Sequence, residues 1–393
     1  MIDPKDIIEK YSVEELNETA EVYFSSIEDP TYLFAKPFSG FLETPMLLEN
    51  VGVLLSGAKL TKSMVVLDFA AGTCWLSYYL NQLQCQTISC DVSQTALDIG
   101  RQLFDEYPLV RPPVAEPQFL LFDGYKIDLP DNSVDRILCN DGFHHVPNQK
   151  TVLAEFARVL KDGGIVGFSE PGRYHSQTPQ SQHEMKHFTV LENDILLNEI
   201  HEHAMAVGFT KMYLKILGDI TISLREYNFY THPWAMRLLH RFYPRLIGPL
   251  INKSIFFLTK GEQVLDSRGH EGLHHTMTAE KDHFQAKVGE AVEIPLKIKN
   301  SGNSIWLNSN YVDIGVVKIG TSLVGDAGNI IHNDFSREVI ERKVMPGETL
   351  EQTIRLTFEE KGTYKVAIDL VSEEVLWFKL SGSEPAILTV HVE

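Results

Sequence analysis

The sequence predicts a doubly wound α/β domain followed by an all-β sandwich. Three observations carry this. Between residues 64 and 170 short apolar runs alternate with amphipathic stretches, the pattern of a parallel sheet wrapped by helices on both faces. The first run ends in an acid and a loop of small residues, Val65-Val66-Leu67-Asp68-Phe69-Ala70-Ala71-Gly72-Thr73-Cys74. After Phe284 the texture changes to short alternating segments broken by turns such as Pro346-Gly347.

Residues 1–60 read as helices interrupted by turns. They serve either as a plain packing layer or as a lid over a small-molecule pocket. Ser12 followed by Glu15 is a capping-box pattern. Residues 35–40 read as a loop and 45–55 as a helix. The α/β domain is placed at 61–262. Its strands are expected at 65–68, 87–91, 118–122, 134–140 and 165–170, with helices at 75–82, 93–104 and 150–160. A further helix is expected over 187–207, closed by Gly208. Strands at 212–217 and 255–259 flank a helical insertion rich in aromatics.

Residues 263–282 read as a linker. Its block of His270, His274 and His275 suits either a metal or a solvated stretch. The sandwich is placed at 283–393, with strands at 292–299, 312–319, 353–358, 362–370 and 386–392. Trp306, Trp377 and Phe378 in it are either core or sugar-stacking side chains.

A length of 393 residues suits two domains. No apolar run approaches the roughly 18 residues of a membrane span. The start, MIDPKDIIEKYSVEEL, lacks the basic and apolar regions of a signal peptide. A formal net charge of -18 opposes a phosphate backbone, so nucleic acid is not an expected partner. The four cysteines, Cys74, Cys85, Cys90 and Cys139, form no C-x-x-C pair, so no metal is expected. Reduced thiols in a cytoplasmic protein are the simple reading. The oligomeric state is left open.

The chemistry is concentrated after the first strand. Small residues there let the backbone approach a ligand, and Asp68 can receive a charged amine or a hydroxyl. A second strand ends in Asp91, close to the spacing of about 20 residues at which an acid grips ribose hydroxyls. The loop lacks G-x-G-x-x-G, so no phosphate cradle is evident. These features alone do not separate a nicotinamide from an adenosylmethionine.

Residues 64–171 resemble the core of class I S-adenosylmethionine-dependent methyltransferases, a Rossmann-like fold. Asp68, Ala70, Gly72 and Cys74 fall on that family's acid and G-x-G-x-G loop, with two glycines replaced. The resemblance implies S-adenosylmethionine as cofactor. Asp68 would meet its amino acid end, with Ala70 and Gly72 in the loop beside it. Asp91 would hold the ribose, Val92 would lie against the adenine, and Asp123-Gly124 would read the adenine amino group. Asp135-Arg136-Ile137-Leu138-Cys139-Asn140 matches the fourth strand, placing Asn140 at the cofactor. Phe143-His144-His145-Val146 matches the segment after it, and Val159-Leu160-Lys161-Asp162-Gly163-Gly164 the turn before the fifth strand.

A narrower resemblance points to bacterial methyltransferases of surface-polysaccharide and glycan clusters. It rests on Lys36-Pro37-Phe38, Glu170-Pro171-Gly172-Arg173-Tyr174-His175-Ser176, Glu184-Met185 and Val190-Leu191-Glu192-Asn193-Asp194-Ile195. In the last domain Val344-Met345-Pro346-Gly347-Glu348, Gly362-Thr363-Tyr364 and Asp369-Leu370-Val371 resemble immunoglobulin-like modules appended to glycan-modifying enzymes.

Methylation of a hydroxyl requires an aligned acceptor and removal of its proton. Histidine is the natural base near neutral pH. His145 is the candidate base or acceptor-positioning residue, with Glu170 and His175 beside the same cleft. Glu184, His187, Glu192 and Asp194 either hold sugar hydroxyls or a metal, or are solvated. The expected acceptor is a glycan or another small molecule. The rivals are a lipid, quinone or secondary-metabolite methyltransferase with an apolar pocket built from the aromatics of 224–257, a catalytically silent adapter, and a nicotinamide dehydrogenase.

Overall fold

Val66, Leu67 and Phe69 are all buried, so the strand β1 (Val65–Phe69) is covered on both faces, as a central parallel strand must be. The computed structural model describes residues 1–393 except 217–219, 233, 235–252, 263, 310–313 and 326–327. Two units are distinguished, Met1–Gln263 and Val264–Glu393.

In the first unit β1 is followed by β2 (Gln86–Asp91), β3 (Gln118–Leu121), β4 (Val134–Asn140), β5 (Leu160–Pro171), β6 (Phe209–Ile216), β7 (Ile220–Ser223) and β8 (Lys253–Lys260). Their order in the sheet is β3-β2-β1-β4-β5-β8-β6-β7. The first five run parallel, and β8 enters antiparallel between β5 and β6. The helices are α1 (Pro4–Lys10), α2 (Val13–Ser25), α3 (Glu43–Ala58), α4 (Trp75–Gln82), α5 (Gln94–Glu106), α6 (Gln149–Val159), α7 (Pro179–Phe188), α8 (Leu197–Ala206) and α9 (Leu224–Thr231).

Alternation along the strands sorts two cores. Val66, Leu138 and Ile165 face Leu54, Trp75 and Ile99 of α3, α4 and α5. Leu67, Ile137 and Val166 share the other core with Val152 and Ile200 of α6 and α8. The capping box at Ser12 and Glu15 forms and opens α2.

The helix expected over 187–207 is not continuous. Thr189 takes a left-handed conformation at φ 58° and ends α7, and the chain stays non-helical until α8. This break brings Val190, Leu191 and Glu192 to the cleft described below. Within the predicted helical insertion α9 is present; residues 235–252 lie outside the described residues.

The second unit contains β9 (Leu265–Asp266), β10 (His275–Ala279), β11 (His283–Ala286), β12 (Ala291–Asn300), β13 (Ser304–Ile305), β14 (Val317–Val324), β15 (Ile330–Val339), β16 (Thr349–Thr357), β17 (Gly362–Ser372), β18 (Leu376–Trp377) and β19 (Ala386–Val392). One sheet runs β10-β12-β16. A second runs β11-β19-β17-β14-β15, with β18 on β17, and β9 pairs separately with β13. Ile294, Ile298 and Ile354 of the first sheet share a core with Val366, Ile368 and Val390 of the second.

Residues 264–282 are therefore no linker. His275 begins β10, which pairs with β12, and its buried Nε2 lies 2.7 Å from Asp369 Oδ1. The polar alternation of His275-Thr276-Met277-Thr278-Ala279 is that of a strand with one wet face. Trp306 and Phe378 are fully buried and meet edge to face at 5.6 Å, so they are core rather than sugar platforms. The strand expected from 312 begins at Val317; residues 312 and 313 lie outside the described residues.

Candidate cofactor and acceptor cleft

The sheet order reverses beside β1, which has β2 on one side and β4 on the other. In such sheets a ligand crevice opens at the carboxyl ends of these strands. A cleft of about 550 Å³ lies there, walled by Asp68, Ala70, Gly72, Asp91, Val92 and Asn140 among others.

The loop after β1 is shaped by alternating left-handed residues, Ala70 at φ 55°, Gly72 at φ 52° and Cys74 at φ 59°. The Ala71 N–H donates to the Cys90 carbonyl at 3.1 Å, tying the loop to β2. The Gly72 N–H donates to Asp91 Oδ2 at 2.7 Å, and the Ser93 N–H to Asp91 Oδ1 at 2.9 Å. Asp91 is thus fixed by two backbone donors, with its remaining lone pairs free for a ligand. Asp68 is buried and accepts from the Ser77 hydroxyl at 2.7 Å through Oδ2. Burial pushes its carboxyl up to about 7.

Cys74 takes a left-handed conformation in this loop, and α5 makes room for its side chain. A Cβ on Gly100 would lie 2.4 Å from Cys74 Sγ. Gly100→Ala should therefore cost about 1–3 kcal/mol through overpacking. In a Cys74→Gly background the same change should be neutral or stabilising, because alanine is the better helix former by about 1 kcal/mol. A double-mutant cycle by denaturant unfolding reads this coupling, and strict additivity would refute it.

The far wall comes from the turn after β4. The Gly142, Phe143 and His144 N–H groups converge on the carboxylate of Glu170 at 3.1, 3.0 and 3.3 Å. His144 Nδ1 lies 2.8 Å from Glu170 Oε2. Glu170 is fully buried and does not wall the cleft. The expectation that it acts on the acceptor gives way to a positioning role, since its backbone N–H contacts and its bond to His144 secure the turn that carries His145.

His145 does line the cleft and is half-exposed there. Its Nδ1 lies 2.7 Å from the Leu191 carbonyl oxygen. A carbonyl only accepts, so Nδ1 carries a proton, and in the neutral ring Nε2 carries the lone pair. Glu192 also walls the cleft, with Oε1 at 3.8 Å from His145 Nδ1. His175 is set back from the wall, its Nε2 2.5 Å from Glu192 Oε2, so it too is a positioning residue. Burial opposes the charge of Glu192, but the imidazoles of His175, His145 and His144 outweigh it and hold the carboxyl below its ordinary value.

Asp123 also departs from expectation. It is exposed, and its Oδ1 accepts from the Tyr125 and Lys126 N–H groups, each at 2.7 Å. That is a turn-forming role, and its neighbours Phe122 and Gly124 line the cleft instead. Glu184 lines it as well, whereas Asp194 Oδ1 accepts from the Ser176 N–H at 2.8 Å and His187 stacks near His183. None of the described residues of 224–257 lines the cleft; 233 and 235–252 lie outside the described residues.

The N-terminal helix α2 covers the opening with Leu16, Asn17, Ala20 and Phe24. Glu21 anchors it, accepting from the Ser93 hydroxyl at 2.6 Å and the Thr95 hydroxyl at 2.5 Å. These bonds draw its carboxyl down to about 2. The sequence reading passed over Glu21; only its place on an amphipathic helix hinted at it. Among the described residues no helix is long and apolar enough to cross a membrane. All four cysteines are free and buried.

Residues 67–168 match a family described as a methyltransferase domain. The ubiquinone/menaquinone biosynthesis C-methyltransferase UbiE of Coxiella burnetii is 29% identical over 123 residues, which cover 30% of this chain and 48% of that protein. The enzyme of the same name from Azotobacter vinelandii is 30% identical over 112 residues, covering 27% and 43%. The chain thus spans about half the length of these curated relatives. Among solved structures, Haemonchus contortus phosphoethanolamine N-methyltransferase 2 with phosphomonomethylethanolamine and S-adenosylhomocysteine aligns at a TM-score of 0.43 and 16% identity, over 65% of this chain and 61% of its own. A geranyl diphosphate methyltransferase in complex with GPP and sinefungin aligns at 0.44 and 13%, over 62% and 98%. Across residues 67–168, then, this chain is similar to methyltransferase domains.

Proposed function

We propose that the chain is an S-adenosylmethionine-dependent methyltransferase that O-methylates a hydroxyl of a sugar or glycan. One observation carries this reading. A single cleft is lined by the acids Asp68 and Asp91 and also by His145 and the Glu192 carboxylate. The residues also fit the cofactor: the buried Oδ1 of Asn140 has no hydrogen-bond partner among the described residues and lies in the wall of this cleft. S-adenosylmethionine supplies, when bound, a methyl group on a sulfonium.

The roles of the side chains follow from their free valences. Asp91, fixed by Gly72 and Ser93, offers its outer lone pairs to ribose hydroxyls. Asp68 receives the ammonium of the amino acid end. Val92 and Phe122 give the adenine an apolar seat. His145 directs its lone pair at the acceptor hydroxyl, and Gln180, Glu184 and Glu192 offer polar partners to further hydroxyls on the acceptor.

A quinone or other lipid is the second reading, favoured by the relatives that act in ubiquinone and menaquinone biosynthesis and by exposed Phe38, Phe41, Leu42 and Met46 near Lys36 and Glu43 of the wall. For the second unit we infer an immunoglobulin-like sandwich, supported by two sheets whose alternating apolar residues fill one core. A cytoplasmic site suits its free thiols.

Calorimetric titration with S-adenosylhomocysteine tests the assignment. Micromolar binding is expected, weakened about 100-fold or more in Asp91→Ala, which loses the ribose contacts and the anchor of the Gly72 loop together. Mass spectrometry of sugar-nucleotide, glycan and quinone acceptors incubated with S-adenosylmethionine then separates the two acceptor classes. An unchanged affinity in Asp91→Ala would sink the assignment.

A further inference from the structure

The acceptor end of the cleft is built in two layers. A ligand nitrogen from each of His144 and His145 and a carboxylate oxygen of Glu192 all lie within 4.8 Å of one another. Behind each stands a fixed partner. Glu170, gripped by three backbone N–H groups, takes His144 Nδ1. The Leu191 carbonyl takes His145 Nδ1. His175 and the Ser181 hydroxyl, at 2.5 and 3.2 Å, take Glu192 Oε2.

Both imidazoles meet these outer partners through Nδ1, which leaves Nε2 of each available as a ligand atom. Neither Nε2 has a hydrogen-bond partner among the described residues. Outer partners that fix the tautomer and orientation of histidine ligands are the mark of metal sites.

We propose that His144, His145 and Glu192 bind one first-row divalent cation, zinc foremost. Two imidazoles and one carboxylate select such ions over magnesium or calcium. Metal–ligand bonds of about 2.0–2.2 Å need ligand separations of roughly 3–4 Å, within reach of small rotations of the half-exposed His145 ring. Three protein ligands leave a coordination position facing the cleft. An acceptor hydroxyl bound there loses its proton to solvent at lower pH than a free one, and its oxygen attacks the sulfonium methyl as the methyl–sulfur bond breaks, leaving the electron pair on the sulfur of S-adenosylhomocysteine. The ion then does what a bare His145 Nε2 would otherwise do. The inference rests on the methyltransferase reading for its chemistry but not for its binding.

The test uses the full chain stripped with a chelator. Zinc is titrated by calorimetry and cobalt by visible absorption. One ion per chain is expected at micromolar affinity or tighter, with cobalt bands of nitrogen and oxygen ligation. Glu192→Gln and His145→Ala should each weaken binding at least tenfold. Both should bind S-adenosylhomocysteine within a few-fold of the parent, which certifies their fold where the buried His144→Ala would not. No ion bound, or binding indifferent to both substitutions, overturns the site. Loss of S-adenosylhomocysteine binding by the parent, with the ion retained, would instead overturn the methyltransferase reading.

Discussion

The affinity of this protein for S-adenosylhomocysteine should fall about tenfold for each pH unit below 7 and level off above it. The cause is Asp68. Burial at the end of β1 disfavours its charge and lifts the carboxyl to about 7, a rise the Ser77 hydroxyl only partly offsets. A ligand ammonium needs the carboxylate, so below that value binding must first remove a proton. The empty protein feels the opposite sign. A carboxyl raised in the folded state favours the fold when protonated. That contribution is fully present below the ordinary carboxyl value and is lost as pH climbs through 7. Lifting the group from 3.8 to about 7 corresponds to about 4 kcal/mol, as an upper figure.

Asp68→Asn removes both effects. It should stabilise the empty protein at pH 8, by about 2–4 °C in Tm for each kcal/mol recovered. It should also weaken S-adenosylhomocysteine about 10- to 100-fold and flatten the pH dependence, because a charge-assisted bond is worth roughly 1.5–3 kcal/mol. Thermal melts and titrations between pH 5.5 and 8.5 read the two together. A variant that binds less well but melts no higher at pH 8 would show that burial does not raise the Asp68 carboxyl.

The half of the cleft proposed to take the cofactor was legible as a cluster because it is local. An acid ending a buried strand and a loop of small residues constrain one another within ten positions, and Asp91 sits one βα unit further on. Asp123 misled for the same local reason: Asp-Gly after a strand suits an adenine contact and a tight turn equally, and here Oδ1 serves the turn. The acceptor end was not legible because it is assembled from distant segments. Glu170 reaches the turn at 142–144 only through the pairing of β4 with β5, where Asn140 lies opposite Ser169. Glu192 reaches His145 only because Thr189 breaks a helix that the apolar spacing extended across it. Strand β10 was lost for another reason: its length and its wet face resemble a linker until β12 is placed beside it.

That assembly makes Glu170 the position of greatest mechanical consequence. Glu170→Ala strips the acceptor from three backbone N–H groups and from His144 Nδ1, all buried. Orphaned buried donors cost about 1–3 kcal/mol each, and relaxation keeps the sum below simple addition. A loss of about 3–5 kcal/mol is expected, as for other broken buried charge networks. Glu170→Gln keeps an acceptor for the Gly142 and Phe143 N–H groups at Oε1 and forfeits the bonds at Oε2, so it should lose about half as much. The two variants also separate positioning from proton transfer. A proton acceptor would be silenced as fully by glutamine as by alanine. A positioning residue retains function in proportion to the geometry it keeps, and a displacement of about 1 Å at His145 costs on the order of 100-fold in turnover. Glu170→Gln should therefore turn over well above Glu170→Ala, with KM and S-adenosylhomocysteine affinity little changed. Equal silence of both variants at parental stability would return Glu170 to the chemistry and remove it from the frame.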